Sequence, residues 1–329
     1  MAIEGQVRSD LPIPPGELVA ETLETMNLSQ AELARRMGRP VQAINEIVRG
    51  TKEITPETAI QLERVLGVPA HIWLGLEAEY QHTKARLEDR KRLDAETNLP
   101  IVKLLYRPLA RLGWLPKTRN RTKQVEHLLD FFGIGSLHKV SVAEPAAYRL
   151  SHTRRAQPEA LAAWLRKGEL EARNIETEPF NEKGLRDVLP DLRRLTTKPP
   201  EMFESYVKEA LAKCGVALVL LSHLPKTYAH GATRWLSSEK ALVQLSLRGK
   251  WADIFWFSLF HELGHVLLHG RRQVYIAGGE QDEYEREADR FASDQLDRPA
   301  DYEAVLSKGD FSEAGVITSA KKQRILIRA

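Results

Sequence analysis

The chain has 329 residues, 43% of them hydrophobic and 28% charged, with a net charge of +3 and a single cysteine, Cys214. That length predicts two or three domains, and the composition excludes a wholly disordered or collagen-like polymer. One cysteine excludes a disulfide scaffold and fits a reducing cytoplasm. No apolar run reaches the span of about 18–20 residues that a membrane helix needs, and Met1 to Asp10 lacks the apolar stretch of a signal peptide. The predicted location is therefore cytoplasmic, with no membrane partner.

Charge is unevenly spread. Residues 1–82 carry seven Lys or Arg against twelve Asp or Glu, whereas residues 83–123 carry twelve against four. The basic stretch reads as a solvated helical connector, with nucleic-acid contact as the alternative. Residues 14–80 show five short helical patterns. Residues 83–200 stay mostly helical and charged, and Pro or Gly interrupts them repeatedly. The predicted division is an all-α domain at 1–82, a helical connector at 83–200 and an α+β domain at 201–329. The fold class is mainly α with a small β-sheet in the C-terminal domain.

Within the first domain, Ser29 predicts an N-cap with Glu32 as its capping-box partner. The helix from Gln30 to Met37 is expected to bury Ala31, Leu33 and Ala34, and Gly38 makes the turn. The next helix, Val41 to Val48, is expected to bury Val41, Ile44 and Val48 and to end at Gly50. Two short helices so joined predict a helix-turn-helix. Its second helix would enter a DNA major groove with Arg39, Gln42, Ala43, Asn45 and Glu46 near the exposed face. Gln42 and Asn45 suit adenine and Arg39 suits guanine, while Arg35, Arg36, Arg49 and Lys52 are placed for phosphates. Residues 35–52 hold five basic groups and one acid, so this face is positive within an acidic domain.

Residues 13–80, from Ile13-Pro-Pro-Gly16 through Leu28-Ser-Gln-Ala-Glu-Leu-Ala34 to Trp73-Leu-Gly-Leu76, resemble the Cro/C1-type helix-turn-helix of HigA-type antitoxins and repressors. The resemblance implies operator DNA as a partner and a homodimer.

From Phe203 the pattern changes. A helix at Phe203 to Lys213 leads into the strand-like run Val216 to Leu221. Lys240 to Leu247 alternates as a second strand, with Val243, Leu245 and Leu247 on one face. An apolar helix follows from Trp251 to His269, before Gly270, and a last polar helix starts near Asp282.

His261-Glu-Leu-Gly-His265 fits the H-E-x-x-H pattern. Four residues apart on a helix, the two imidazoles share one face, as two ligands of a tetrahedral Zn²⁺ must. Glu262 is offset and can act as general base on a metal-activated water. Gly264 permits close packing behind the pair. Glu285 and Asp289 are also four apart on one face. Their spacing resembles thermolysin-like (gluzincin) sites, which implies Glu285 as third ligand and Asp289 as the group that orients His261 or His265. Glu287 is expected to point elsewhere. Two histidines and a glutamate with one open position predict a catalytic site holding one Zn²⁺ per chain.

Phe257-Ser-Leu-Phe-His-Glu-Leu-Gly-His-Val-Leu-Leu-His269 and Glu285-Arg-Glu-Ala-Asp-Arg-Phe-Ala292 resemble the ImmA/IrrE family of zinc metallopeptidases. The resemblance implies His261, His265 and Glu285 as ligands, Glu262 as base, and a repressor protein as substrate. The chain departs from that family at Ser293 to Pro299, where a small apolar run is usual, and it ends at Ala329, sooner than the resemblance leads one to expect. His269 is read as lining the cleft or capping its helix. His230, Tyr228 or Tyr275 can supply an oxyanion donor.

The two motifs together predict an intracellular zinc endopeptidase fused to a DNA-binding domain. Its expected substrate is a repressor or a toxin–antitoxin partner. The alternative is an antitoxin-like repressor whose zinc-site domain binds a partner or senses metal without cutting. A third option is a zinc hydrolase that acts on something other than peptides.

Overall fold

The computed structural model describes residues 11–144, 146, 157–247, 252–271, 274–277 and 283–296, without the side chains of residues 252 and 253. Trp251, Asp282 and the Asp297 to Pro299 part of the departing segment lie outside the described residues. The chain forms two compact units, one up to Thr97 and one from Asn98.

The first unit is all helix: α1 (Gly16–Thr25), α2 (Gln30–Met37), α3 (Val41–Val48), α4 (Pro56–Leu66) and α5 (Ala70–Glu96). Ser29 caps α2 by accepting from the Glu32 amide at 3.1 Å. Gly38 takes the left-handed conformation, φ 65°, that turns the chain into α3. Gly16 lies so close to α3 that a Cβ there would stand 2.2 Å from the Ile47 carbonyl oxygen. Val19, Leu23, Leu33, Met37, Ile44, Ile47, Leu62 and Trp73 form the core. Glu77, nearly buried, accepts from the Ile54 amide at 3.0 Å and so ties α5 to the loop before α4.

Two burial expectations fail here and a third, at Val48, holds in part. Ala31 is exposed on α2, and Met37 fills its place in the core. Val41 is 44% exposed, and Val48 is half-buried against the core; α3 buries the expected Ile44 together with Ala43 and Ile47. The cause is the angle at which Gly38 and Pro40 launch α3, which rotates the inward stripe from the 41–44–48 set to the 43–44–47 set.

In the second unit α6 (Pro100–Arg111), α7 (Arg121–Phe132) and the short α8 (Val140–Ala143) precede α9 (Pro158–Arg173), α10 (Glu182–Arg194) and α11 (Pro200–Ala212). Then follow β1 (Val216–Leu221), β2 (Gly231–Trp235), β3 (Ala241–Ser246), α12 (Ala252–Leu268), β4 (Tyr275–Ala277) and α13 (Glu283–Leu296). The sheet order is β1-β3-β2-β4, with β1 parallel to β3 and the other pairs antiparallel.

Helices cover both faces of this sheet. Val243 and Leu245 point into a core with Trp256, Leu259, Phe260 and Leu263 of α12. Gln244, one residue out of phase, faces α9 and donates to the Trp164 carbonyl at 2.7 Å. Gly168 on α9 makes that approach possible, because a Cβ there would fall 1.7 Å from the Gln244 side-chain oxygen. Arg234 on β2 reaches the same side and pairs with Glu144 at 2.6 Å and Glu169 at 3.2 Å. Burial on both faces explains the uninterrupted apolar β1. It also corrects the predicted second strand: Val243 and Leu245 do share a face, but Leu242 and Gln244 are buried on the other, and Leu247 lies past the strand, 52% exposed.

Candidate functional site

Helix α12 brings the H-E-x-x-H residues to the middle of the second unit, where its apolar neighbours bury them. His261 is 3%, Glu262 0% and His265 0% exposed. Helix α13 packs along α12. The approach is close at Gly264, where a Cβ would stand 3.1 Å from the Phe291 ring and 3.3 Å from the Ala288 Cα. That contact delivers Glu285 to the histidines. Its Oε2 lies 3.4 Å from His261 Nε2 and its Oε1 3.3 Å from His265 Nε2. The two Nε2 atoms are 3.1 Å apart, and one ligand atom from each of the three residues falls within 4.8 Å of the others.

The remaining polar groups hold these three in place. His261 Nδ1 bonds Asp289 Oδ1 at 2.9 Å, so the structure brings Asp289 to the first histidine of the pair. His265 Nδ1 meets His269 Nδ1 at 2.8 Å, and His269 Nε2 meets Glu287 Oε2 at 3.1 Å. His269 is therefore enclosed between His265 and Glu287 rather than set along a cleft, and Glu287 points inward to it. Tyr275 lies flat on His265, ring centroids 4.5 Å apart and planes 15° apart; its hydroxyl donates to the Gly270 carbonyl at 3.3 Å. His230 immediately precedes β2, half-buried, and its amide donates to Ala277. Tyr228 is 40% exposed in the loop before it.

Two residues that sequence reasoning missed complete the site. Thr233 on β2 donates its hydroxyl to Glu262 Oε2 at 2.6 Å. Gly231, two residues earlier on the same face, leaves room for the carboxylate: a Cβ there would be 2.3 Å from Glu262 Oε1. A glycine opening a strand was the available signal, since it marks close approach of another group. Glu262 Oε1 itself is buried with no close hydrogen bond among the described residues, and the Ala277 backbone amide also favours the charged carboxylate.

The electrostatics follow from this packing. Burial pushes the Glu262 carboxyl up to about 8, against the pull of His261 and the Thr233 hydroxyl. Burial also lowers the His265 imidazole. It acts the same way on His261, but the Glu285 hydrogen bond and the Glu262 and Asp289 carboxylates outweigh it and raise that ring to about 9. Burial works against the charged form of Glu285, yet hydrogen bonds from both histidines bring it down to about 2.

On the first unit, Gln42 and Arg49 are exposed and Asn45 and Glu46 half-exposed along one side of α3. Gln42 donates to Glu46 at 3.0 Å. Arg35 and Arg36 both pair with Glu32, and Arg39 donates to Gln61 at 2.5 Å. Ala43 is 7% exposed and faces the core, so it is not on this surface; Val41 is, for the reason given above.

A helix-turn-helix family model matches residues 19–73, and a model described as the IrrE N-terminal-like domain matches residues 253–298. The chain is 32% identical over 71 residues to an uncharacterized HTH-type transcriptional regulator, YddM, of Escherichia coli K12, covering 22% of this chain and 76% of that protein. It is 39% identical over 75 residues to virulence-associated protein I of Dichelobacter nodosus, covering 22% of this chain and 69% of that one. Among solved structures, the Pseudomonas aeruginosa antitoxin HigA with the higBA promoter shares 33% identity, covers 26% of this chain and 95% of its own, and gives a TM-score of 0.25. The chain thus belongs to the helix-turn-helix family through its N-terminal unit, and carries in its second unit a segment of the IrrE N-terminal-like type.

Proposed function

We propose that the second unit is a zinc-dependent endopeptidase and that the first binds operator DNA, so that the chain couples cleavage of a repressor or toxin–antitoxin partner to transcription. The division of labour follows the predicted domains: DNA binding at 1–82, as a homodimer, and peptidase chemistry at 201–329. Residues 83–200 serve as more than a tether, because α9 packs on β1 and β3.

One observation carries the reading. Glu262 is fully buried beside the His261–His265–Glu285 cluster, with Oε2 held by Thr233 and Oε1 making no close hydrogen bond among the described residues. A buried acceptor left open is costly, and it is what a general base needs before its proton donor arrives. The donor set fits zinc: two imidazoles and one carboxylate, with a position left for water or substrate.

His261, His265 and Glu285 would hold the metal, which when bound supplies Lewis acidity to water and to the scissile carbonyl. Glu262 takes a proton as water adds to that carbonyl, then returns it to the leaving amine. Thr233 keeps Oε2 occupied, which directs the proton to Oε1. Asp289 fixes the His261 ring so that its Nε2 faces the ligand cluster. Nearby, His230, Tyr228 and Tyr275, whose hydroxyl also donates to the Gly270 carbonyl, are the candidates for an oxyanion donor.

Metal analysis of the purified wild type beside His261→Ala and Glu285→Ala, followed by co-expression with proteins encoded next to its gene, tests the proposal. The expected result is one zinc per wild-type chain, none in the variants, and one partner cut by wild type but not by Glu262→Gln. Partners left equally intact by zinc-loaded wild type and by Glu262→Gln would favour the non-cutting repressor.

A further inference from the structure

We propose that His269 and Glu287 are positioning residues that set the orientation and tautomer of His265. The inference rests on the metal reading above and extends it to two residues outside the ligand set.

The two ligand histidines are supported differently. His261 has a carboxylate on its Nδ1, Asp289 at 2.9 Å. His265 has none; its Nδ1 faces another imidazole nitrogen, His269 Nδ1, at 2.8 Å. Two imidazole nitrogens at that distance share a single proton, one donating and the other accepting. The Nε2 of His265 faces Glu285 and His261, so a ligand role requires that nitrogen bare and places the ring proton on Nδ1. His269 Nδ1 is then the acceptor, its own proton sits on Nε2, and that N–H points at Glu287 Oε2, 3.1 Å away. In the opposite arrangement His265 Nε2 would carry the proton toward Glu285 and His269 Nε2 would turn a bare nitrogen to the Glu287 carboxylate, so a ligand role for His265 and a donor for Glu287 go together. A carboxylate on α13 thereby fixes, through one intervening ring, which nitrogen of His265 is free.

Packing reinforces the arrangement. Tyr275 lies flat on His265, and Tyr284 meets the edge of His269 with centroids 5.0 Å apart. The His269 side chain is 1% exposed while that of Glu287 is 49% exposed. The relay therefore runs from the buried ligand to the surface, and its outer end can be altered without opening the core.

Outer partners of ligand histidines contribute roughly 10- to 100-fold in metal affinity. The test is zinc affinity of the full-length chain, by competition with a chromophoric chelator, for wild type, His269→Ala, His269→Asn, Glu287→Gln and Glu287→Ala, with circular dichroism to verify folding. His269→Ala should bind zinc about 10- to 100-fold more weakly. His269→Asn, whose carbonyl oxygen can accept from His265 Nδ1, should recover most of that loss. Glu287→Ala should weaken binding by a smaller factor, and Glu287→Gln, which keeps an acceptor oxygen, by less still. If wild type binds zinc tightly while His269→Ala and Glu287→Ala bind within twofold of it, the relay is wrong. Equal losses in His269→Ala and His269→Asn would also overturn it, since they would show that the ring only fills space. Should His269→Ala fail to fold, the surface-exposed Glu287→Ala decides by the same twofold criterion. A wild type that takes up no zinc would bring down the metal reading itself, which is a different result from a tight wild type with indifferent variants.

Discussion

Thr233 donates its hydroxyl to Glu262 at 2.6 Å across the gap between β2 and α12, and the same oxygen also lies 3.1 Å from the Glu262 backbone carbonyl. The bond stabilises the charged carboxylate and so opposes the burial that raises its pKa. Thr233→Val keeps the shape and removes the donor. Loss of a hydrogen bond to a charged group is worth about 1.5–3 kcal/mol, so peptide cleavage should fall by about tenfold or more. A base works only when deprotonated, and without its donor Glu262 needs a higher pH to lose its proton. The rising limb of the rate–pH profile should therefore move to higher pH. A rate profile over pH with an unmoved limb would remove Thr233 from the proton chemistry.

Gly231 offers a steric test of the same carboxylate. In Gly231→Ala the new Cβ would stand 2.3 Å from Glu262 Oε1 and 2.8 Å from its Cδ and Cγ. Overpacking of this kind costs about 1–3 kcal/mol. The melting temperature should drop and cleavage should be lost, whereas zinc uptake should persist because no ligand is touched. Calorimetry and metal analysis on one preparation separate the two effects.

Without metal, the attraction between Glu285 and the His261 imidazole still holds the site together. Glu285, lowered to about 2, contributes stability that is present above its ordinary value near 4.5 and is lost as pH falls through about 2. His261, raised to about 9, contributes stability that is full below its ordinary 6.5 and fades as pH rises toward 9. Both contributions are complete only between about pH 4.5 and 6.5. In chelator-treated protein the melting-temperature difference between wild type and His261→Ala should be largest in that window. Returning zinc at about 100 times its dissociation constant should add about 2.7 kcal/mol to wild type and nothing to His261→Ala, as read by melting temperature against zinc concentration.

Sequence spacing located the parts of this site that lie on helices. His261, His265, Glu285 and Asp289 recur at four-residue steps, and helical geometry converts that step into a shared face. A strand after His230 running beside the active helix was legible, but nothing announces Thr233 on it, because which of its side chains faces Glu262 depends on the register of β2 against β3 and β4, a non-local relationship. The partner of His269 was not legible for a related reason. Glu287 is out of step with Glu285 on α13, as expected, and its side chain meets His269 just past the end of α12. The three-residue β4 gave no periodic signal at all. On α3 the helix itself was legible while its rotation was not: adjacent apolar residues at 41, 43, 44, 47 and 48 allow two inward stripes, and the geometry of the preceding turn chooses between them.

That rotation changes the expected DNA contact. With Ala43 turned into the core and Val41 44% exposed at the start of α3, Val41 becomes the apolar residue available to a thymine methyl, beside Gln42 and Asn45 as adenine readers. Gln42→Ala with Asn45→Ala should abolish a sequence-specific gel shift on the operator while leaving the fold intact, since both side chains lie outside the core. Val41→Ser should weaken binding by about 1–3 kcal/mol, and only at sites that carry the thymine. Arg49→Ala should instead weaken binding to all sequences and reduce the slope of log affinity against log salt by about one. An unchanged shift in the Gln42/Asn45 double variant would mean that α3 does not read bases, and the first unit would then serve to dock a protein partner.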